Sequence, residues 1–373
     1  ANARPETVIS RPDQYVGIST WNGANNTRDI QTGFAPDLVF IKRRDGTKSW
    51  AWYDSVRGEE KRLSSDSDAA ETDDTSGLTS FNDRSFTMGN STFNNGDSKT
   101  YASYFFKAGG SKGTFNKDDV GYASAAAAGL SGQSSNITIN GCSIGTKQGF
   151  SIVKVTPSDN SAFIVPHGLS QQPDFLIIKN LGASQNWDLY FRGVTGSNQV
   201  MEINTTNALT TTGVTVWNSV DSTKVSARGA SFATSTNSRV VYFWHNVPGL
   251  QKFGIYEGTG VAGNYVHLGF RPALIWIKNV DNTAINNWGI IDSTRSYANV
   301  GNHTLALNLS NGESHFGGGE SVFGASNKID LLSDGFRLQE TSGFGNTSGI
   351  TFLYCAWAEA PSIDLYGGGA NAR

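Results

Sequence analysis

Gly141-Cys142-Ser143-Ile144-Gly145 has the G-x-S-x-G spacing of a nucleophile elbow, in which a strained turn between a strand and a helix lifts a serine hydroxyl toward an acyl carbon. That chemistry needs a helix after the serine. The strand-like residues FSIVKV (150–155) follow instead, so the match is coincidental and no catalytic residue is expected. The five histidines (His167, His245, His267, His303 and His315) stand singly, without the spacing of a metal centre. The densest set of oxygen ligands is Asp66, Asp68, Glu71, Asp73 and Asp74, yet Ala70 and Glu71 stand where an EF-hand needs a ligand and then glycine. That stretch is expected to be a solvated loop, and neither metal nor cofactor is expected. A polysaccharide depolymerase would need two carboxylates facing each other across a cleft. The acidic residues here cluster in that loop or recur with the repeat described next, which leaves this activity a remote alternative.

The elements that would position these residues come in triplicate. GFAPDLVFIK (33–42), GLSQQPDFLIIK (168–179) and GFRPALIWIK (269–278) are one phrase written three times. After each lysine comes a tryptophan strand: SWAWYDSVRG (49–58), NWDLYFRG (186–193) and NWGIIDSTRS (287–296). Each unit closes on an aromatic strand: YASYFFKAGG (101–110), RVVYFWHNVPG (239–249) and ITFLYCAWAEAP (350–361). A short continuous apolar run behind a proline has the pattern of a strand buried on both faces, with the proline at its start. The lysine after each run is expected to lay its stem on apolar surface and put its ammonium in water. Asp54 and Arg57, Asp188 and Arg192, and Asp292 and Arg295 recur with the repeat and are expected to form structural ion pairs.

Nine tryptophans could fill a core or offer flat apolar faces to sugar rings. Trp50, Trp52, Trp187 and Trp288 recur at one place in the repeat and are expected in its core. Trp21 and Trp217 stand in polar surroundings, STWNGANN and TVWNSVDS, and are the expected glycan or receptor contacts.

Forty-three glycines, two methionines and many Ser, Thr and Asn between short apolar runs suit strands joined by turns. The expected fold is all-β, three tandem β-sandwich units of jelly-roll or lectin-like type with little helix. The expected division is unit 1 at 1–110, a Gly/Ser/Ala-rich linker with one short strand (137–139) at 111–148, unit 2 at 149–249, unit 3 at 250–360 and a tail at 361–373. A formal charge of −3 with 16% charged residues gives no basic field for nucleic acid. No apolar run approaches the ~18–20 residues of a membrane span, so no membrane insertion is expected.

Over nearly the whole chain, the phrases GFAPDLVFIKRRD, WYDSVRG, SFNDRSFTMG (80–89), YFFKAGG and the tail after AWAEAP resemble a family of virion structural proteins of marine bacteriophages, among them phages of cyanobacteria and of abundant ocean bacteria. The resemblance implies a β-sandwich virion component and supplies no catalytic residue. The function expected is a non-enzymatic tail-fibre or receptor-facing part used in host attachment, with units set along an elongated shaft or head; the alternative is a capsid decoration, knob or head-fibre protein. Its expected partners are other virion proteins, further copies of itself (a trimer in a fibre) and a host-surface glycan. Its expected place is the virion, on the tail rather than the capsid surface.

Overall fold

The computed structural model describes residues 9–228, 236–281, 286–296, 298–301, 303–313, 329–341 and 345–360, and the backbone alone of 362–363 and 369–370. His315 and the side chains of the tail 361–373 lie outside the described residues.

Nearly the same set of strands is laid down three times, the third repeat having one fewer among the described residues. The first repeat contributes β1 (Val16–Asn22), β2 (Arg28–Gln31), β3 (Leu38–Arg43), β4 (Ala51–Asp54), β5 (Gly58–Leu63), β6 (Thr72–Asp73), β7 (Leu78–Phe81), β8 (Ser85–Met88) and β9 (Thr100–Phe106). Then come β10 (Phe115–Lys117), β11 (Val120–Tyr122) and β12 (Ile137–Gly145). The second repeat holds β13 (Phe150–Pro157), β14 (Phe163–Pro166), β15 (Phe175–Asn180), β16 (Asp188–Phe191), β17 (Gln199–Glu202), β18 (Thr210–Thr211), β19 (Trp217–Val220), β20 (Lys224–Ala227) and β21 (Arg239–Trp244). The third holds β22 (Gln251–Glu257), β23 (Asn264–His267), β24 (Pro272–Asn279), β25 (Gly289–Asp292), β26 (Leu305–Ala306), β27 (Ile329–Leu332), β28 (Gly335–Leu338) and β29 (Thr351–Ala358). Among the described residues the only helical element is a 3-10 turn at Pro12–Gln14, and no helix is long and apolar enough to cross a membrane.

In every repeat the first strand pairs with the last, and the sheet runs on through the repeated hairpin. The large sheets are β1-β9-β3-β4-β5-β6, β13-β21-β15-β16-β17-β18 and β22-β29-β24-β25-β26. A three-stranded sheet backs each one: β2-β8-β7, β14-β20-β19 and β23-β28-β27. The fold is all-β, built from sandwich units.

Strand alternation explains why the repeated runs are apolar throughout. Val39 and Ile41 join Leu78 and Phe86 inside the first sandwich. Leu176 and Ile178 do the same with Val225 in the second, and Ile275 and Ile277 with Phe336 in the third. The intervening residues, Leu38 and Phe40, Phe175 and Ile177, Leu274 and Trp276, point the other way and meet in one further core common to all three repeats. Each repeat closes its own sandwich, and the outer faces of the three large sheets close on one another. The expected row of units along a shaft is therefore replaced by a pseudo-threefold cluster around an aromatic centre, because an apolar second face on every large sheet has to be covered.

Residues 111–148 also depart from expectation. Instead of a strand at 137–139, β12 runs nine residues through Gly145, pairs antiparallel with β13, and carries β10 and β11 beyond it. A bulge between Ile139 and Gly141 shifts the alternation, so Ile137, Ile139, Cys142 and Ile144 all reach the second sandwich core although no single period-2 pattern spans them.

Candidate functional site

Ser143 lies in mid-strand with its side chain buried. Its hydroxyl donates to Asp37 Oδ1 at 2.7 Å and accepts from Gly109 N–H at 2.8 Å. Asp37 also accepts from Ser55 Oγ (2.7 Å) and from the N–H groups of Ala108 (2.7 Å) and Gly110 (2.9 Å), so the serine ties β12 to the first repeat. The carboxylate that takes its hydrogen bond is occupied by these structural donors, and the fully buried hydroxyl leaves no room for an acyl group. Burial pushes the imidazole of His167 down to about 4, and its Nδ1 accepts from Leu169 N–H at 3.1 Å. It is a neutral core residue. Among the described residues no group of three His, Cys, Asp or Glu side chains could hold a metal ion.

Trp21 and Trp217 correct the expectation of sugar contacts. Trp21 is 7% exposed, stacked on Tyr101 at 5.6 Å and edge-on to Phe86 at 6.5 Å. Trp217 is 3% exposed, donates from Nε1 to Gln199 O at 3.0 Å and meets Tyr190 edge-on. Their polar sequence neighbours mislead because alternation sends Thr20, Asn22 and Asn218 outward and the indole inward. Neither ring offers a face to a ligand.

The recurrent residues converge on the seams between repeats. Trp50, Trp187 and Trp288 are fully buried, as is Trp52. The indole N–H of each of the first three crosses to a neighbour's carbonyl: Trp50 to Ala306 (2.7 Å), Trp187 to Ser67 (3.0 Å) and Trp288 to Glu202 (2.9 Å). First donates to third, second to first, third to second. The circuit is closed.

The lysines correct a second expectation, since the side chains of Lys42, Lys179 and Lys278 are buried instead of ending in water. Lys42 Nζ donates to Lys48 O and, across the seam, to Ser310 O at 2.7 Å. Lys179 Nζ donates to Gln185 O and, across the seam, to Asp68 O, each at 2.7 Å. Lys278 Nζ donates to Asn286 O. Carbonyls that water would otherwise solvate at each hairpin end are satisfied by the ammonium. The backbone of the acidic stretch is part of a seam, with the Asp68 carbonyl accepting from Lys179 and from Gln185 N–H (2.8 Å) and Glu71 N–H donating to Leu181 O (2.9 Å), while within the first repeat Asp66 accepts from Trp50 N–H (2.9 Å) and Glu71 from Arg57 (2.9 Å). Asp68 and Asp73 stay exposed, as expected of a solvated loop, Asp73 paired with Lys61.

Burial pushes Lys42 and Lys179 down to about 8 and Lys278 down to about 7, the nearby charges of Asp66, Asp68 and Glu202 offsetting only part of the cost. The sign follows from linkage. Between these values and the ordinary 10.5 the unfolded chain binds more protons than the folded one, so each lysine's contribution to stability rises with pH in that window. In urea unfolding, the stability of the parent protein relative to Lys278→Met should therefore increase from pH 7 to pH 10. A difference that stays flat or shrinks would show that the ammonium is solvated.

Two of the three expected ion pairs form. Arg57 Nε donates to Asp54 and Arg295 Nε to Asp292, all four side chains fully buried. A tyrosine from another repeat caps each pair, Tyr242 OH on Asp54 (2.7 Å) and Tyr104 OH on Asp292 (2.8 Å). Asp188 and Arg192 do not pair. Arg192 is solvent-facing and reaches Asp174 at 3.4 Å. Pairing register identifies the residue that stands where Asp54 and Asp292 stand: Leu38 faces Asp54, Leu274 faces Asp292, and Phe175 faces Phe191. Three residues further on, Val194 takes the place of Arg57 and Arg295. The capping tyrosine is missing too, because Cys355 in β29 holds the register of Tyr104 and Tyr242, opposite Trp276 as they are opposite Phe40 and Ile177. The third node is apolar in all three of its positions.

The surface of the described residues includes two open grooves. One, of about 970 Å³, lies between the first repeat and β10–β12; there Lys112 pairs with Asp83 and Lys107 with Asp119, each at 2.8 Å, and Tyr15 supplies an aromatic wall. The other, of about 600 Å³, lies where Glu313 bridges Arg44 (2.8 Å), Arg295 (3.1 Å) and His303 (2.6 Å). In both, several of the charges close on one another. A family model described as a domain of unknown function (DUF7483) matches residues 11–361. No curated protein and no solved structure matches the chain.

Proposed function

From the premise that this chain belongs to the DUF7483 family, we propose that it is a non-enzymatic structural component of a bacteriophage virion, a compact head on a tail fibre or similar receptor-facing part. The observation that carries the reading is where the recurrent polar residues are used: the three tryptophans and two of the lysines donate from repeat to repeat, the aspartates of the two buried pairs each accept a tyrosine hydroxyl from another repeat, and none of these lines either groove. Repeated polar groups used in this way for cohesion fit a part whose role is shape and durability. The sequence resemblance to phage virion proteins supports the setting. What a fibre obtains from three chains this one obtains from three repeats, so it can cap a threefold shaft as a single copy. The same pseudo-threefold supports the second reading, a capsid decoration seated at a threefold position. Contact with a host glycan falls to exposed surface such as the groove beside Tyr15 and not to the buried Trp21 or Trp217.

Gold-labelled antibody against the purified protein, applied to intact particles, tests the proposal. Label at the tail tip or fibres supports it, label on the capsid transfers it to the decoration reading, and particles that never carry the protein overturn both.

A further inference from the structure

The larger groove breaks the pseudo-threefold. Its walls are the 3-10 turn before β1, the first repeat's turns at 33–35 and 83–84, the β10–β11 turn at 118–119 and the β12–β13 turn at 146–148. β10 to β12 lie between the first and second repeats, whereas residues 245–250 alone separate β21 from β22, so no such wall stands between the second repeat and the third. Cohesion accounts for the residues that recur and not for this groove.

Its charges leave two cations over. Arg11 pairs with Asp13 at 2.6 Å, Lys112 with Asp83 and Lys107 with Asp119 at 2.8 Å each, and the remaining carboxylate, Asp118, accepts from the N–H and Oγ of Thr146, again at 2.8 Å. Arg84 and Lys147 are exposed on the same groove, and among the described residues neither forms an ion pair. Lys147 Nζ stands 5.8 Å from the centre of the half-buried Tyr15 ring, which puts a positive charge beside an aromatic face. At about 970 Å³ the groove is at the upper end of the ~300–1,000 Å³ of ligand sites, room for several rings and not for a single ion. Guanidinium and ammonium groups take carboxylates, an aromatic ring takes the apolar face of a sugar, and Asp13 and Asp118 accept from hydroxyls. Apart from Tyr15, Ala35 and the buried Phe34 the lining is polar, charged or glycine, so it lacks the apolar pockets by which peptide side chains are held. We propose that this groove binds a carboxylated glycan, its carboxylates on Arg84 and Lys147 and one sugar ring against Tyr15. The site gives a ligand class to the glycan contact of the receptor-facing reading and rests on that reading for its biological setting.

Isothermal titration of the full chain at low ionic strength, with hexagalacturonate, hexamannuronate and sialyllactose as probes, tests this. At least one of the three is expected to bind saturably at one site per chain. Its methyl ester, which keeps the rings and loses the charge, should bind at least about tenfold more weakly. Arg84→Ala combined with Lys147→Ala should weaken binding by at least about tenfold as well. Lys154→Ala combined with Arg228→Ala removes the same charge outside the groove and should leave binding unchanged. None of these four side chains is buried, so the fold is kept. Hexaglutamate, a peptide with carboxylates and no sugar rings, should bind at least about tenfold more weakly than the best uronate or sialyl probe. The proposal is overturned if none of the three probes binds, if acid and ester bind alike, if the groove variant binds like the parent, or if hexaglutamate matches the glycan. Binding by the purified protein does not depend on its place in a particle, and antibody label on a particle does not depend on what fills the groove, so this inference and the functional reading fail separately.

Discussion

Replacing Asp54 by alanine is expected to destabilise the folded chain by ~3–5 kcal/mol, the usual cost of stranding one partner of a buried ion pair. The measurement is the urea midpoint at neutral pH, with the slope unchanged. Arg57 would be left in a site with no solvent access, and Tyr242 OH would lose its acceptor at 2.7 Å. Glu71 at 2.9 Å keeps one hydrogen bond to the guanidinium, which places the expected loss toward the lower end of that range. The apolar third node indicates how the loss should be reversed. Phe191, Val194 and Cys355 fill the positions that Asp54, Arg57 and Tyr242 fill elsewhere. The combined variant Asp54→Phe, Arg57→Val, Tyr242→Cys removes the buried pair and its cap together, leaving Glu71 with partial access to water, and a buried ion pair exchanged for apolar side chains is often neutral or better. It should recover more than half of what Asp54→Ala loses. A triple variant no more stable than the single one would mean that the first node's backbone is shaped by its charges and cannot accept the third node's chemistry.

That comparison also shows which parts of the molecule the sequence disclosed. The repeated phrases placed the central hairpin strands, since a proline, four apolar residues and a lysine admit few other conformations. They did not disclose what covered the second face of those strands, because an apolar run states that both faces are buried without naming the partner. The lysines were misread for that reason: at the end of a lone sandwich an ammonium reaches water, whereas at a seam between repeats it meets carbonyls such as Ser310 O and Asp68 O. The pairing of Asp188 with Arg192 failed for a different reason. Proximity in sequence stood in for register, although counting four residues from the recurrent tryptophan gives Asp54 from Trp50, Asp292 from Trp288 and Phe191 from Trp187. Trp21 and Trp217 were misplaced by composition where strand alternation would have turned them inward.

The shared core has its largest expected consequence when it is taken apart. A fragment of residues 1–110 contains every strand of the first sandwich, so by the logic of beads on a string it should fold alone. In the intact chain its large sheet turns Leu38, Phe40, Trp50, Trp52, Leu63, Tyr104 and Phe106 toward the other two repeats. Each such side chain contributes ~1.5–3 kcal/mol when fully buried. Exposing the set therefore removes ~10–20 kcal/mol, as much as the ~5–15 kcal/mol that stabilises a typical domain. Lys42 and Trp50 would lose Ser310 O and Ala306 O as well. The fragment should remain unfolded or aggregate, with none of the near-ultraviolet dichroism expected of packed tryptophans. The full chain, by contrast, should lose its dichroism in one transition and not in three. A fragment that folds, or an intact chain that melts in stages, would mean that the aromatic centre joins units already stable on their own. The pseudo-threefold cluster would then be an assembly of three domains instead of one cooperative body.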